Sequence, residues 1–445
     1  MANGENKTNG SSENGKTNGN KQKYKFLFVG WESLSGDLAW QIQKEGHQVK
    51  CYIKDVADEY DGILEKVPDW KPHVDWADVV IFDDIWFGEH ADRLRKNGKA
   101  VVGGSAYTDK LEDDREFGQM EMKRMGMNIL PHWDFTDYDE ALKFISENPG
   151  RYVYKPSIDV ATDWKGLLFI GKEEDGKDLH QILESNKAVL SKKIKSFQLQ
   201  KFASGVEVGC AAFFNGKDFI MPINIAFEHK RLFPGEIGPM TGEMGTSMFW
   251  CGANNFFHTT LEKMLEPLRE SGYVGYIDIN CIANARGIYP LEFTCRFGYP
   301  TISIQQEGVL SEWGEFMHAI ANHQPYELRT KKGFQLGVVI ATPPFPYDDK
   351  SEVDIYRGTS VLFKKPNYEG VHLGEIKMED GIMKIAGNCG YDLVVTGSGT
   401  TMEDARRMAY NRIDNIMILN MFYRTDIGST WAEDRDKLHS WEYIY

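Results

Sequence analysis

Short apolar runs and amphipathic stretches alternate along the chain. Phe26-Leu27-Phe28-Val29 is a continuous apolar run that stops at Gly30, the pattern of a buried strand followed by a turn. A helical stretch from Leu38 to Lys44 follows, then strands at Val49–Ile53 and Val79-Val80-Ile81-Phe82. A helix near Ala91–Arg95 and a strand at Ala100-Val101-Val102 complete the series. Strands separated by helices predict βαβ units and a parallel sheet. Ligands of such sheets sit at the carboxyl ends of the strands, which directs attention to Gly30–Gly36 and to Asp83-Asp84. The loop Trp31-Glu32-Ser33-Leu34-Ser35 lacks the GxGxxG spacing of a dinucleotide site.

The middle of the chain predicts a helix over Leu111–Met125 and a strand at Arg151–Lys155 that ends in a lysine. Further strands are expected at Ser196–Phe202 and Gly209–Phe214, with a turn at Ser204-Gly205 and a hairpin turn at Asn215-Gly216. Leu261, Met264, Leu265 and Leu268 share one helix face, with Thr259 as the expected N-cap. Val274–Ile282 and Ile288–Phe293 read as a strand pair joined at Ala285-Arg286-Gly287. Leu336–Ile340 and Leu393-Val394-Val395 are later strands, separated by the chain-breaking Pro343-Pro344-Phe345-Pro346. Thr400-Thr401-Met402-Glu403 opens a helix bearing Ala405, Met408, Ala409, Ile413 and Ile416. Strands followed by a helix predict a small C-terminal α+β domain.

Composition sharpens this picture at three points. Residues 1–22 are almost devoid of apolar side chains and repeat Lys-Thr-Asn-Gly, so a disordered tail is expected there. Across 445 residues the formal charge is −15, which argues against a general nucleic-acid coat while leaving room for a local anion site. Neither a membrane-spanning apolar run nor the apolar core of a signal peptide is present, and the six scattered cysteines form no CxxC pair. A cytoplasmic protein with free buried thiols is expected, acting on small molecules away from membranes as a monomer or homodimer.

Candidate chemistry lies in residues that recur in a meaningful order. Lys155 ends a strand and precedes a small-residue loop, 157–166, containing Lys165; Glu207 follows the Ser204-Gly205 turn. His229-Lys230-Arg231 is a basic cluster, and Gly238-Pro239-Met240-Thr241-Gly242-Glu243-Met244-Gly245 reads as a loop with an unusual backbone. Glu292-Phe293-Thr294-Cys295-Arg296-Phe297-Gly298 closes the set. Lysines supply compact positive charge to phosphates, backbone N–H groups can cradle them, and a carboxylate near an arginine can hold Mg²⁺.

In order and spacing these residues resemble the ATP-grasp superfamily, and within it the phosphoribosylamine–glycine ligases, over about Lys25 to Gly428. The resemblance implies an α/β protein with an N-terminal Rossmann-like parallel-sheet domain (23–104) and an ATP-grasp core of two α+β subdomains (105–334). A mobile lid at about 152–225 is implied within the core, followed by a small C-terminal α+β domain (335–430) and a tail (431–445). It implies ATP-dependent ligation of a carboxylate, such as glycine's, to an amine through an acyl-phosphate, with ATP and Mg²⁺ (or Mn²⁺) as cofactors.

Carried over by position, Arg115, Lys155 and Lys165 would meet phosphates. Gln200, Lys201 and Ala203 belong to the hinge that reads adenine, and Glu207 would bind ribose. Glu292, Thr294 and Asn280 would hold the metal, and Arg296, with Lys230 and Arg231, would stabilise the transferred phosphoryl group. His229, Gly238, Thr241, Gly242, Asp83 and Asp84 fall where the family handles substrates. Arg115, Lys155, Lys230, Arg231 and Arg296 together predict one basic cleft.

Departures are concentrated at the acceptor end. Thr294 replaces the family's metal-binding asparagine, Asp83-Asp84 replaces a Pro-Glu, and Cys389-Gly390-Tyr391 replaces a Gly-Gly-Arg. They favour a different amine acceptor, or a divergent way of binding the same one. They also keep open a catalytically impaired nucleotide-binding or regulatory module, and a structural protein tethered through its tail.

Overall fold

The computed structural model describes residues 22–55, 58–157, 167–347 and 354–444. The expected tail and Lys165 lie outside the described residues. Five parallel strands open the chain: β1 (Lys25–Gly30), β2 (Gln48–Ile53), β3 (Glu65–Lys66), β4 (Val79–Phe82) and β5 (Ala100–Val102), in spatial order β3-β2-β1-β4-β5. Phe26, Leu27, Phe28 and Val29 are buried on both faces of the sheet, as their continuous apolar run requires. The chain runs outward from β1 to β3, then reverses at β4, so the crevice between the ends of β1 and β4 is a topological switch point.

A small antiparallel sheet follows, built from β6 (His132–Phe135), β7 (Tyr152–Pro156), β8 (Phe169–Ile170) and β9 (Phe197–Lys201) in order β6-β9-β7-β8. Helices Tyr138–Glu147 and Lys177–Lys193 cover it around a core of its own, including Tyr152, Tyr154, Leu179 and Phe197. This unit runs from about 132 to 201. The expected lid of 152–225 is therefore misplaced at both ends, because residues beyond Val206 pair into another sheet.

That second sheet has eight strands. β10 (Val206–Phe214), β11 (Phe219–Phe233), β12 (Ile237–Cys251), β13 (Gly275–Asn284) and β14 (Gly287–Thr294) are joined by β15 (Phe334–Ala341), β17 (Val371–Leu373) and β20 (Tyr391–Gly399). Between these in the chain lie the short strands β16 (Leu362–Phe363), β18 (Ile376–Glu379) and β19 (Ile382–Ile385). β15, β17 and β20, strands of the expected C-terminal α+β domain, thus extend the central sheet through the pairing of β15 with β12, while β18 and β19 pair as a two-stranded sheet of their own. The Asn215 side chain accepts the N–H groups of Lys217 and Asp218 and closes the β10–β11 hairpin at the expected turn.

Three local expectations are corrected. The predicted 111–125 helix is two helices, Ala106–Asp113 and Arg115–Arg124, because Asp114 leaves the helical backbone and caps the second through Phe117 N–H. Thr259 is no N-cap; it ends a separate short helix, Asn255–Thr259, which Asn254 caps, and the expected helix begins as a 3₁₀ turn at Leu261–Met264 before Leu265–Glu270. Gly238–Gly245 is not a loop but part of β12, whose pairing with β11 is interrupted by bulges where the glycines relieve the backbone. The helix Met402–Ile413 is capped by Thr401 as expected, and all six cysteines are unpaired. Among the described residues no helix is long and apolar enough to cross a membrane.

Candidate active site

Strand register assembles the site. Across β13–β14, Asp278 stands opposite Thr294 and Asn280 opposite Glu292. Across β10–β13, Glu207 stands opposite Ile282 and Gly209 opposite Asn280, while Gly209 faces Ala226 on β11. Side chains alternate along a strand, so Glu207, Glu228, Lys230, Asp278, Asn280, Glu292 and Thr294 share one face of the central sheet. The ion pairs agree. Lys230 Nζ lies 2.9 Å from Glu207, 3.2 Å from Glu228 and 3.8 Å from Glu292.

The expected basic cleft is therefore a mixed one. Burial opposes the charge of Lys230, but Glu228, Glu207 and Glu292 outweigh it and hold the ammonium well above its usual range. Asp278 and Glu243 are pushed well up, by burial first and by the charge of Glu228 next. Asn280 donates to Glu228 at 3.0 Å, while its Oδ1 and Asp278 Oδ1 have no partner among the described residues. An amide oxygen, a carboxylate oxygen, Glu292 and the Thr294 hydroxyl on one face are the hard oxygen donors that Mg²⁺ takes, so the residues fit that ion.

The small sheet supplies cations from above. Lys155, on β7, is lowered to about 8, first by burial and then by the neighbouring charges of Arg115 and Lys230, with Glu292 and Glu207 pulling the other way. Arg115 opens its helix and donates to Pro156 O at 3.4 Å. Burial lowers its guanidinium, against the attraction of Glu292 and Asp134.

At the hinge, Gln200 is buried. The N–H groups of Lys201 and Phe202 are committed to Pro131 O and Arg151 O. Of the hinge expected to read adenine through its backbone, the Lys201 and Phe202 N–H groups are thus already engaged. A cleft of about 790 Å³ opens beside the hinge, lined by Phe202, Ala203, Asn284, Tyr289 and Trp441 among others.

Arg296 ties this face to the N-terminal crevice. Its Nε lies 3.0 Å from Glu112 and 3.2 Å from Asp84, and Glu112 also receives the Cys295 N–H. Burial works against the guanidinium, but Glu112 and Asp84 hold it above its usual range. Asp83 is buried beside β1, where Ser35 N–H and Oγ–H donate to its Oδ2 at 3.1 and 2.7 Å.

Other expected residues are not brought together. His229 points to the opposite sheet face from Lys230. It is 4 % exposed, with Nδ1 3.4 Å from Glu236 and Nε2 accepting the Gly428 N–H, so it braces the hairpin. Arg231 donates across the hairpin to Gly238 O, and Thr241 Oγ–H donates to Lys230 O. Gly238, Thr241 and Arg231 thus shape the arm that carries Lys230, and Gly242 lies exposed on that arm. Glu228, Glu243 and Asp278 were missed. Their signal was a carboxylate inside a strand pattern, uninformative until the register shows which strands are neighbours.

Comparison with known proteins agrees with this geometry. Residues 113–302 match the ATP-grasp (A) domain of phosphoribosylglycinamide synthetase. A phosphoribosylamine–glycine ligase of Streptococcus pneumoniae is 27% identical over 357 residues, covering 78% of this chain and 82% of that protein. The crystal structure of phosphoribosylamine–glycine ligase from Thermotoga maritima superposes with a TM-score of 0.66 at 20% identity, covering 91% of this chain and 100% of that one. Biotin carboxylase from Campylobacter jejuni gives a TM-score of 0.62 at 12% identity, covering 94% and 97%. Residues 113–302 thus match an ATP-grasp domain, and the chain as a whole is similar to the phosphoribosylamine–glycine ligases.

Proposed function

We propose that the protein is an ATP-dependent carboxylate–amine ligase. A carboxylate oxygen attacks the γ-phosphorus of ATP, the bond to the bridging oxygen of ADP breaks, and an acyl-phosphate forms. An amine then attacks the acyl carbon; the C–N bond forms, the C–O bond to phosphate breaks, and the amine proton is lost to solvent. The observation that carries this reading is the single sheet face presenting Lys230, Asp278, Asn280, Glu292 and Thr294 beneath Lys155, with Arg296 at its edge.

Lys155 and Arg115 would hold phosphate oxygens, Lys155 retaining its charge more firmly once a polyanion is beside it. Glu207, half-exposed below the hinge, would accept ribose hydroxyls, and the hinge cleft is large enough for a purine. Mg²⁺, when bound with ATP, supplies charge neutralisation between phosphate oxygens; Glu292, Asp278, Asn280 and Thr294 would hold it. Arg296 would meet the charge that develops on the transferred phosphoryl group. In this reading the 132–201 unit is the lid, and the switch-point crevice is the acceptor side.

The test is ADP formation with an amino-acid panel and an amine panel, omitting each in turn. Turnover that needs both, and that Glu292→Ala and Arg296→Ala abolish, supports the ligase. Tight ATP binding with no turnover on any pair would instead favour a nucleotide-binding module.

A further inference from the structure

Arg296 owes its setting to the end of the helix Ala106–Asp113. That helix starts on a capping box at Ser105 and stops where Asp114 leaves the helical backbone. Leu111 is buried, and Glu112 follows it in the last turn with its side chain 11% exposed. Three residues on, Arg115 opens the next helix. One helix junction therefore carries both a cation of the phosphate site and the carboxylate that meets Arg296.

The two oxygens of Glu112 have separate tasks. Oε2 accepts the Cys295 N–H at 2.6 Å, and Oε1 accepts the Arg296 Nε–H at 3.0 Å. The Tyr273 hydroxyl holds residue 295 from its other side, donating to Cys295 O at 3.2 Å. Backbone and side chain are thus gripped at consecutive residues just past the end of β14, which restricts how the Arg296 side chain leaves the chain. Asp84 flanks the same nitrogen at 3.2 Å from the N-terminal sheet, its own Oδ1 accepting the Ile85 N–H at 2.8 Å.

Both carboxylates approach Arg296 most closely at Nε. Among the described residues, Nη1 and Nη2 donate no hydrogen bond, although the side chain is only 27% exposed. An ion pair built for strength alone takes a carboxylate bidentately, two N–H groups to two oxygens. Glu112 instead turns its second oxygen to a backbone N–H. The fork of terminal nitrogens, whose spacing matches two oxygens of one phosphoryl group, is left open.

We propose that Glu112 is a positioning residue for phosphoryl transfer: it holds Arg296 by the Nε edge and keeps the Nη1/Nη2 fork free for the transferred group. The inference rests on the ligase reading. Only a carboxylate suits the task. A glutamine would offer one acceptor oxygen and set its –NH₂ against one of the two N–H donors. Asp84 shares the grip, so the aim of the fork also depends on the N-terminal sheet being docked.

The test compares variants of the full-length protein in ADP formation, on the amino acid and amine pair that supports wild-type turnover, with ATP affinity measured by calorimetry. Glu112→Gln is expected to lower kcat about 100-fold while the Kd for ATP stays within about twofold. Tyr273→Phe loosens the same turn without touching Nε, and is expected to lower the unfolding midpoint while keeping kcat within about threefold. If Glu112→Gln does not fold, Asp84→Asn loosens the same edge from the other side, and a kcat loss of about tenfold with unchanged ATP affinity is expected. The proposal is overturned by wild-type kcat in the folded Glu112→Gln protein, or in Asp84→Asn where that one alone folds. Parallel losses of kcat and ATP affinity, or a Tyr273→Phe loss as large as that of Glu112→Gln, overturn it too. Wild-type turnover with an indifferent Glu112→Gln sinks this inference alone, whereas no wild-type turnover on any pair sinks the ligase reading and this inference with it.

Discussion

Replacing Lys230 with methionine removes one charge from the centre of three carboxylates while keeping the length of the side chain. The three contacts are unequal. Glu292 is 59% exposed and Glu207 40%, so these pairs together contribute less than about 1 kcal/mol. The Glu228 side chain is 9% exposed, and breaking a buried pair costs about 3–5 kcal/mol. Glu228 keeps its bond from Asn280, which offsets about 1–2 kcal/mol of that cost. The expected loss is about 3 kcal/mol at pH 8.

The pH dependence has a definite sign. Asp278 and Glu243 already sit above their ordinary values, and Lys230 is one of the groups pulling them down. Without it they rise further. A carboxyl raised in the folded state binds more protons folded than unfolded, so its contribution falls as pH rises above the ordinary carboxylate range. The penalty in Lys230→Met is therefore largest at pH 8 and shrinks to under about 1 kcal/mol at pH 5. Urea unfolding followed by tryptophan fluorescence measures this, with hydrogen exchange of the β11 and β13 amides locating the loss. A penalty equal at both pH values, or none at pH 8, would refute the reasoning.

Three further outcomes follow from the same geometry. Lys155→Ala should weaken ATP binding by about 1.5–3 kcal/mol through loss of a charge-assisted phosphate contact; calorimetry showing wild-type affinity would remove Lys155 from the site. The Glu307 side chain is 6 % exposed and pairs with Lys331 at 2.7 Å and Arg412 at 2.9 Å; burial opposes its charge, but those partners and Ser398 hold the carboxyl at about 2. Glu307→Gln should cost about 3 kcal/mol at pH 7, and the difference from wild type should close as pH falls from the ordinary carboxylate range toward 2, as unfolding midpoints would show. Gly30→Ala should destabilise by about 1–3 kcal/mol, because the new Cβ meets Asp83 Oδ1 and Glu32 O; an unchanged melting temperature would contradict the packing at the crevice.

Elements formed from local pattern were legible in the sequence. The apolar run 26–29, the Asn215 turn and the Thr401 cap depend on neighbours within a few residues, and each stands where the pattern put it. Lys155, Glu207, Lys230 and Glu292 could be picked out by order and resemblance, and the structure gathers them. Asp278, Glu228 and Glu243 could not, since a carboxylate in a strand gains meaning only from a cross-strand partner far along the chain. The same limit hid the union of β15 with β12, which joins strands of the expected small C-terminal α+β domain to the central sheet. His229 stands on the other face from its neighbour Lys230, because strand alternation sends adjacent residues to opposite faces, which a basic cluster read from the sequence does not show.

Isotope transfer tests the central claim most directly. An amino acid labelled with ¹⁸O in its carboxylate is incubated with the protein, ATP, Mg²⁺ and an amine acceptor, and the phosphate released is analysed by mass spectrometry. Passage through an acyl-phosphate predicts one labelled oxygen in each phosphate formed, in step with amide. Amide formation with unlabelled phosphate, or ATP hydrolysis indifferent to the amino acid, would contradict the account.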